Sequence, residues 1–224
     1  MLILTIETCT ETSTLGLVRD GVVLGEAAFP SRYTLAKRLI PRLEWLLADS
    51  GLTKESVEAV AVSTGPGSFT GVRIGLAAAK TFACWAHIPL VGIPTLEALA
   101  FPFRDCAETL LVPLINARRQ QAYVALYRGD AGVLRRITAD TPLSAEPFHA
   151  VLQQHHGGFA RTLIIGQAEG LPPAFHQQLG DTVSTVRSLV TPHALAQLAA
   201  ERLAQGAADD AMTLAPIYLR SAAD

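Results

Sequence analysis

The order of strand-like and helical segments constrains the fold of this chain most, because one order occurs twice. The first third opens with three strand-like runs, at Leu2–Ile6, Thr14–Arg19 and Val22–Phe29. Asp20-Gly21 separates the last two runs and is typical of a tight hairpin turn. A second series of three runs begins near Thr109. The chain is therefore expected to contain two units of similar topology, although the residues themselves show no repeat.

Helices and strands alternate after the first series. A leucine stripe predicts a helix over Tyr33–Ala48, in which Pro41 should produce a kink. An apolar strand, a helix and a second strand then follow at Ala59–Ser63, Phe69–Trp85 and Leu90–Ile93, and a short helix begins at Pro94. The predicted order of this unit is βββαβαβα.

The second series has a similar order. Its strands are predicted at Leu110–Ala117, Ala122–Arg128 and Val133–Thr138, with the turn Gly129-Asp130-Ala131-Gly132 between the last two. The later segments are a helix at Ala145–His155, a strand at Thr162–Gly166, a proline-rich stretch near Leu171–Gln178, a strand at Thr182–Val186 and a helix at Pro192–Gln205. Antiparallel strands followed by alternating helices and strands imply a mixed sheet covered by helices.

This order predicts an α/β fold of two actin-like (ASKHA) lobes, with a cleft between them. The lobes are expected at residues 1–105 and 106–224, with the last helix and the tail able to pack back on the first lobe. Half of the 224 residues are hydrophobic, so a sizeable core can form. No apolar run approaches the ~20 residues that span a bilayer, and the N-terminus lacks the marks of a secretory signal, which favours a cytoplasmic protein.

Charge and cysteine content limit the possible functions. The net charge is −2, so no broad basic face is expected, and a partner should hold most of any bound RNA. Cys9, Cys84 and Cys106 are too few and too scattered for a disulfide framework or a thiolate metal site, and are expected to be ordinary buried thiols.

The segment Gly65–Gly75 follows a buried strand and opens a helix, a position where anions are often bound. Three residues separate Gly67 from Gly71, whereas the dinucleotide fingerprint has two, and Val72 stands where the phosphate-loop motif has lysine. Neither nucleotide motif is satisfied. The simpler interpretation is a tight strand-to-helix turn in which Ser68 caps the helix.

Small residues recur every four positions along the helix that follows, at Gly71, Gly75, Ala79 and Ala83. This small-residue ridge allows another backbone to approach closely. Glycine costs roughly 1 kcal/mol relative to alanine inside a helix, so a compensating packing contact is expected. The neighbour could be the protein's own sheet, the helix at 33–48 or a second subunit.

Five segments together resemble one family. They are GPGSFTGVRIGLAAAK, the opening ILTIETCTETSTLGLV, IPTLEALA at Ile93–Ala100, INARRQQAYVALY at Ile115–Tyr127 and PIYLR at Pro216–Arg220. The chain resembles the TsaB (YeaZ) family, which is related to the TsaD/Kae/glycoprotease-like family. The resemblance spans nearly the whole chain, and the GPGSFTGxRIG string is highly specific.

The resemblance implies a scaffold subunit that lacks an active site. With TsaD and the ATPase TsaE, such subunits support attachment of a threonylcarbamoyl group to the adenosine beside the anticodon of tRNAs that read A-starting codons. Alone they usually form homodimers. The resemblance also implies that the helices at 33–48 and 69–85 pair with TsaD or a second copy. The expected interface residues are Leu35, Arg38, Leu39, Arg42, Gly71, Arg73, Gly75, Ala79 and Ala83, where the three arginines could equally be solvated.

Actin-like ATPases place an acid and glycines at the end of the first strand of each lobe. The corresponding segments here are Glu7-Thr8-Cys9-Thr10, which has no glycine, and Asn116-Ala117-Arg118-Arg119, which has an amide in place of the acid. Phosphoryl transfer is therefore expected to be disabled. Candidate nucleotide or RNA contacts are Glu7, Thr8, Gly67, Ser68, Asn116 and Arg118. No intrinsic cofactor is expected. ATP or ADP would bind at the interface of the assembled complex, and tRNA would be reached only through that complex.

The competing hypothesis is an actin-like ATPase or a glycoprotease-type metallopeptidase that uses the cleft between the lobes. A metallopeptidase needs clustered ligands, and none of the six histidines pairs with another at helical spacing. The resemblance adds that TsaD carries a two-histidine metal motif on the helix equivalent to Tyr33–Ala48, which here contains no histidine. A self-contained homodimeric binding module is a third hypothesis.

Overall fold

The computed structural model describes residues 1–31, 34–166, 173–175 and 180–219. The described residues form two compact units. The first comprises residues 1–98 and 190–218, and the second comprises residues 99–189 and Leu219. The first unit thus ends seven residues before the boundary expected at 105, and takes in the last helix as well.

The first unit contains a five-stranded mixed sheet in the order β3-β2-β1-β4-β5. Strands β1 to β3 are antiparallel, whereas β1, β4 and β5 run parallel. The predicted order βββαβαβα is confirmed. Its elements are β1 (Leu2–Glu7), β2 (Thr12–Arg19), β3 (Val22–Pro30), α1 (Leu35–Asp49), β4 (Ala59–Ser63), α2 (Phe69–Ala86), β5 (Leu90–Ile93) and α3 (Thr95–Ala100).

Burial explains why these segments form their elements. Every residue of β1 and β4 is buried, as expected for central strands covered on both faces. The leucine stripe of α1 faces the core, and its buried members are Leu35, Leu39, Leu43, Leu46 and Leu47. Helix α1 is continuous through Pro41. Tyr33, which the sequence placed in this helix, lies outside the described residues.

The second unit contains a sheet whose main path is β10-β7-β6-β11-β12. This path repeats the first sheet position by position, with antiparallel strands on one side of β6 and parallel strands on the other. Its elements are β6 (Thr109–Arg118), β7 (Gln121–Val124), β8 (Tyr127–Asp130), β9 (Val133–Arg136), β10 (Thr141–Ser144), α4 (Ala145–His156), β11 (Arg161–Gly166) and β12 (Val183–Val186).

The second unit departs from the predicted order at one place. The single strand predicted at Ala122–Arg128 is two strands, because β7 pairs with the end of β6 and β8 pairs with its beginning. Strand β6 is ten residues long, which is enough for two short partners end to end. Strand β9 pairs only with β8, and the third strand of the main path is β10, which the sequence analysis missed. The proline-rich stretch Leu171–Gln178 lies outside the described residues except for 173–175.

The last helix, α5 (Pro192–Ala204), packs on the first sheet and contacts all five of its strands. Its N-cap is Thr191, whose side chain accepts a hydrogen bond from the backbone of Ala194 at 3.2 Å. Arg202, near the end of the helix, forms a two-pronged ion pair with Glu97 at 2.8 and 3.0 Å. Residues 192–204 are therefore part of the core of the first unit.

The small-residue ridge of α2 is buried, and its first two members, Gly71 and Gly75, face the end of β1. A Cβ atom on Gly71 would overlap the backbone carbonyl oxygen of Thr8, and one on Gly75 would overlap the Thr8 hydroxyl. That hydroxyl donates a hydrogen bond to the carbonyl oxygen of Gly71 at 2.8 Å. The neighbour that the ridge accommodates is thus the protein's own sheet.

The prediction that the ridge receives a partner helix is therefore wrong for Gly71, Gly75, Ala79 and Ala83. It is also wrong for Leu35 and Leu39 of α1, which are at most 4% exposed. The sequence pattern was ambiguous because a buried ridge and an intersubunit ridge need the same small residues. Only the exposed sides of the two helices remain accessible to another molecule.

The variant Gly71→Ala tests the close approach between α2 and β1. Helix propensity alone would make this substitution stabilising by roughly 1 kcal/mol. Because the added methyl group would overlap the Thr8 carbonyl, we expect the free energy of unfolding to fall instead, by roughly 1–3 kcal/mol. Urea denaturation measures the sign of this change in the free energy of unfolding. Ala77→Gly, on the exposed side of α2, is the control and should lose about 1 kcal/mol through propensity alone. A Gly71→Ala variant more stable than the parent would contradict the packing described above.

Candidate functional site

The turn after β1 is held together by the side chain of Glu7. Its carboxylate accepts hydrogen bonds from the backbone nitrogens of Cys9 at 2.6 Å and Thr10 at 2.9 Å, and from the Thr10 hydroxyl at 3.1 Å. The side chain is fully buried. Its removal from water raises the pKa of Glu7 to about 7, although the three hydrogen bonds oppose this shift. Backbone amides that could hold a phosphate therefore bind a carboxylate of the same chain.

The glycine-rich turn before α2 packs directly against the β1 turn. The backbone nitrogen of Ser68 donates to the carbonyl oxygen of Cys9 at 2.7 Å, and a Cβ on Gly67 would overlap that oxygen. The Ser68 hydroxyl accepts from the backbone of Gly71 at 3.1 Å, which confirms its predicted role as N-cap. The two turns are thus closed against each other, with no space for an anion between Gly67 and Cys9.

The end of the chain covers the other side of the glycine-rich turn. The backbone nitrogen of Ile217 donates to the carbonyl oxygen of Thr64 at 2.8 Å. Gly65 has a φ of 102° and approaches the Ile217 carbonyl so closely that an added Cβ would lie 2.9 Å from it. Gly65 is therefore required both for its left-handed backbone and for the passage of the C-terminal segment. Arg220, the last residue of the PIYLR motif, lies outside the described residues.

The packing of these turns shows which of the residues predicted to contact nucleotide or RNA in the first unit are accessible. Glu7 and Thr8 are fully buried by their own chain, so the prediction is wrong for these two residues. Gly67 is half-buried and Ser68 is exposed, but the polar groups described above are used internally. Their contact with a nucleotide stays a prediction.

The remaining two predicted contacts lie in the second unit, at the tip of the β6–β7 hairpin. The side-chain oxygen of Asn116 accepts a hydrogen bond from the backbone of Arg118 at 2.8 Å. Arg118, Arg119 and Gln120 have φ values of 63°, 49° and 62°, all in the left-handed region that non-glycine residues rarely adopt. Such conformations cost about 1–3 kcal/mol each. The tip thus presents two exposed arginines on a strained turn, and their contact with RNA or nucleotide stays a prediction.

The three arginines predicted at an interface lie on or beside the exposed sides of α1 and α2. Arg38 is exposed, and Arg42 lies over the Phe29 ring at 4.5 Å from its centroid. The Arg73 guanidinium lies 3.8 Å from the centroid of Phe69, and its Nε donates to the Tyr218 hydroxyl at 2.6 Å. Arg73 therefore joins the start of α2 to the C-terminal segment.

Large apolar side chains on the same two helices are exposed, and the sequence analysis missed them. Ile40 is 46% exposed, Trp45 55% and Trp85 49%. Trp45 also lines a shallow groove of about 450 Å³ with Lys37, Arg38, Pro41 and Arg42. The available signal was the position of Ile40 and Trp45 outside the leucine stripe of α1.

Two further properties concern possible functions. Across the described ranges, no three His, Cys, Asp or Glu side chains are close enough to hold a metal ion. Among the helices described above, none is both long and apolar enough to cross a membrane. The three cysteines are free, and only Cys9 is fully buried, whereas Cys84 is exposed on α2.

Comparison with known proteins gives the family. A family model described as TsaD, tRNA N6-adenosine threonylcarbamoyltransferase, matches residues 31–157. A Bacillus subtilis (strain 168) protein named tRNA threonylcarbamoyladenosine biosynthesis protein TsaB is 30% identical over 230 residues, which cover 99% of this chain and 95% of that protein. The chain belongs to the TsaB family. The TsaB protein of Escherichia coli (strain K12) is 34% identical over 160 residues, covering 70% of this chain and 68% of that one.

Solved structures agree with this family and with the predicted fold. YeaZ from Pseudomonas aeruginosa aligns with a TM-score of 0.77 and 26% identity, covering 97% of this chain and 99% of that one. The ethanolamine utilization protein EutJ from Carboxydothermus hydrogenoformans aligns with a TM-score of 0.56 at 14% identity, which indicates a shared fold alone. The prediction of two actin-like lobes is confirmed.

The pH dependence of stability tests the environment of Glu7. A folded-state pKa near 7, against 4.5 ordinarily, means that the folded protein keeps a proton between these values that the unfolded chain releases. Stability should therefore fall as pH rises from about 4.5 to about 7, by about 3 kcal/mol. Glu7→Gln keeps an acceptor for the Cys9 amide but cannot ionise, so this loss should be absent. Thermal unfolding of both proteins between pH 5 and pH 8 measures the difference.

Glu11→Gln is the matched control for removal of a charge, because Glu11 is exposed in the same turn. Its unfolding midpoint should follow that of the parent across this pH range. Parallel profiles for the parent and Glu7→Gln would show that the Glu7 carboxylate is not held in an apolar environment.

Proposed function

We propose that this protein is a non-catalytic scaffold subunit for the formation of threonylcarbamoyladenosine beside the anticodon of tRNAs that read A-starting codons. Its partners are a TsaD-type threonylcarbamoyltransferase and a TsaE-type ATPase. The proposal is carried by its similarity, over nearly its full length, to a protein named for threonylcarbamoyladenosine biosynthesis. The same family relation favours a cytoplasmic location.

The closed turns of the first unit support a role without catalysis. The amides of Cys9 and Thr10 follow the first strand, where phosphates approach in actin-like ATPases, yet each binds the Glu7 carboxylate. The acid at this position is buried, and its oxygens accept hydrogen bonds from the turn. Helix α1 also contains no histidine, so the position that carries the metal motif in TsaD has no imidazole ligand.

The exposed sides of α1 and α2 are the surface on which we place the partner. Exposed aromatic side chains with neighbouring arginines are characteristic of the central residues of protein interfaces. Trp45 and Trp85 are about half exposed, and Lys54 lies 4.4 Å from the centroid of Trp85. Burial of these rings against a second protein would remove apolar surface from water. A second copy of this chain would use the same surface in a homodimer.

We further propose that ATP or ADP binds only at the interface of the assembled complex, not in this chain alone. The amides of Cys9, Thr10 and Ser68 already bind acceptors of the same chain, so these two turns do not offer them to a phosphate. The transferase subunit would then supply the contacts to the nucleotide phosphates, and tRNA would meet this chain within the assembled complex.

Substitution of Trp45 tests the docking surface. Trp45→Asp places a charge where the proposal expects an apolar contact, so we expect association with the purified TsaD-type partner to weaken about tenfold or more. Sedimentation velocity of the mixed proteins measures the complex. Val22→Asp is the control, because Val22 is 63% exposed at the start of β3 and belongs to neither helix. Equal weakening by both substitutions would contradict a docking surface on α1 and α2.

A second experiment separates the scaffold role from catalysis. The isolated chain should hydrolyse no ATP, and Glu7→Gln mixed with the partner subunits should still modify tRNA, since glutamine keeps the turn closed. Mass spectrometry of digested tRNA measures the modified nucleoside. If the isolated chain hydrolyses ATP and Glu7→Gln abolishes this activity, the result contradicts the non-catalytic proposal.

A further inference from the structure

The hairpin formed by β8 and β9 has no counterpart in the first sheet. Without it, the strand path of the second sheet matches that of the first. The hairpin is attached to the start of β6, where Leu110 pairs with Arg128. It closes through Ala131 and Gly132, whose φ values of 49° and 81° are typical of a tight two-residue turn. The hairpin is thus an addition that the sheet topology does not require.

One cross-strand pair of this hairpin places two positive charges opposite each other. Arg128 and Arg135 are direct cross-strand partners. Like charges at directly opposite positions destabilise an antiparallel pair, so pairing two arginines here needs another explanation. Arg128 is exposed, and no ion pair joins it to a carboxylate of the described residues. A negatively charged ligand would remove the repulsion.

The same arginines line an open groove of about 590 Å³, which we call the arginine groove. Its walls are Arg128, Arg135, Arg136, Ile137, His155 and Phe159. Helix α4 supplies His155, whose Nδ1 donates to the carbonyl oxygen of Val151 at 3.0 Å. Its other nitrogen, Nε2, therefore accepts hydrogen bonds when the ring is neutral and donates them when the ring is charged.

Two carboxylates hold the arginines but do not use all their donors. Asp130 binds only the Nε of Arg135, at 3.0 Å. One Nη of Arg136 donates to the Tyr127 hydroxyl at 2.7 Å and lies 3.2 Å from an oxygen of Asp140. A guanidinium has five N–H donors, so both arginines keep donors for another acceptor. Asp130 and Asp140 thus fix the positions of the two guanidinium groups and leave some of their N–H donors for another acceptor.

The chemistry of the groove favours phosphates. Every cationic side chain between residues 99 and 189 is an arginine, and the chain's three lysines all lie before residue 81. Arginine is planar, always charged and able to bind a phosphate with two parallel hydrogen bonds. The groove is open rather than enclosed, which suits a continuous backbone better than a small molecule that must be surrounded.

We propose that the arginine groove binds the phosphate backbone of the tRNA substrate directly. This inference rests on the function proposed above, which supplies an RNA as the ligand. The net charge of the whole chain is −2, so the attraction is local to this hairpin and not a property of the protein's overall field. The groove makes no base contact in this proposal, and its part is to position the RNA.

Charge reversal at Arg128 tests the groove. With the assembled complex, Arg128→Glu should weaken binding of unmodified tRNA about tenfold, and it should reduce the slope of log K against log salt by about 1 or more. Fluorescence anisotropy at several salt concentrations measures both quantities. Arg19→Glu, which reverses an exposed charge on the first unit, is the matched control and should change affinity less than about twofold.

A second variant separates binding from folding. Arg128→Thr removes the repulsion with Arg135, so its unfolding midpoint should be equal to or higher than that of the parent while tRNA affinity falls. A loss of tRNA affinity accompanied by a lower midpoint in both Arg128 variants would indicate a structural role and overturn the proposal. Inorganic phosphate added at constant ionic strength should displace little tRNA, since one phosphate makes few of the contacts. Full displacement by phosphate would assign the groove to a small anion instead.

The remaining outcomes distinguish this proposal from the one on which it rests. If the complex modifies tRNA and Arg128→Glu binds it as well as the parent does, the groove proposal fails alone. If Arg128→Glu loses the TsaD-type subunit in sedimentation, the groove binds an acidic protein segment and the RNA proposal is overturned. If the parent chain forms no such complex, the proposed function fails. In that case, tRNA affinity is compared between the free parent chain and the free Arg128→Glu variant. Weaker binding by the variant supports the groove proposal, and equal binding overturns it.

Discussion

The close contact between the end of β1 and the start of α2 is the constraint on which the first unit depends. Thr8 touches the backbone of α2 at Gly71 and Gly75, and only glycine leaves room for it. This contact brings the two strand-end turns together, where Ser68 binds the Cys9 carbonyl. The backbone amides of Cys9, Thr10 and Ser68 thus all bind acceptors of the same chain.

The same contact determines which side chains of α2 are exposed to other molecules, and α1 is divided between buried and exposed sides as well. Because the small residues of α2 face inward, its outward side carries Phe69, Arg73 and Trp85. Helix α1 is divided in a similar way, with leucines inside and Ile40 and Trp45 outside. The exposed sides of the two helices therefore present aromatic and cationic side chains, whereas the glycines that would allow a close helix crossing are buried.

The sequence predicted the first unit and the two-lobed fold because the signals for them were local. The leucine stripe, the Asp20-Gly21 turn and the Ser68 cap each depend on residues a few positions apart, and each prediction was confirmed. The break between β7 and β8 was not predictable, since it depends on which part of β6 each strand joins. The prediction of what the small-residue ridge packs against was wrong for the same reason. Spacing defines a helix face, but the partner of that face is a property of the folded chain. Burial of Glu7 likewise follows from the turns around it and not from its neighbours in sequence.

The C-terminal segment crosses the Thr64–Gly65 turn, and α5 covers the first sheet. Both come from residues 190–218, which are the last of the first unit to leave the ribosome. The second unit is therefore an insertion within the first, and it is synthesised while the first sheet still lacks the cover of α5. During translation, the face of the first sheet that α5 later covers therefore stays open to water until residues 192–204 have been made.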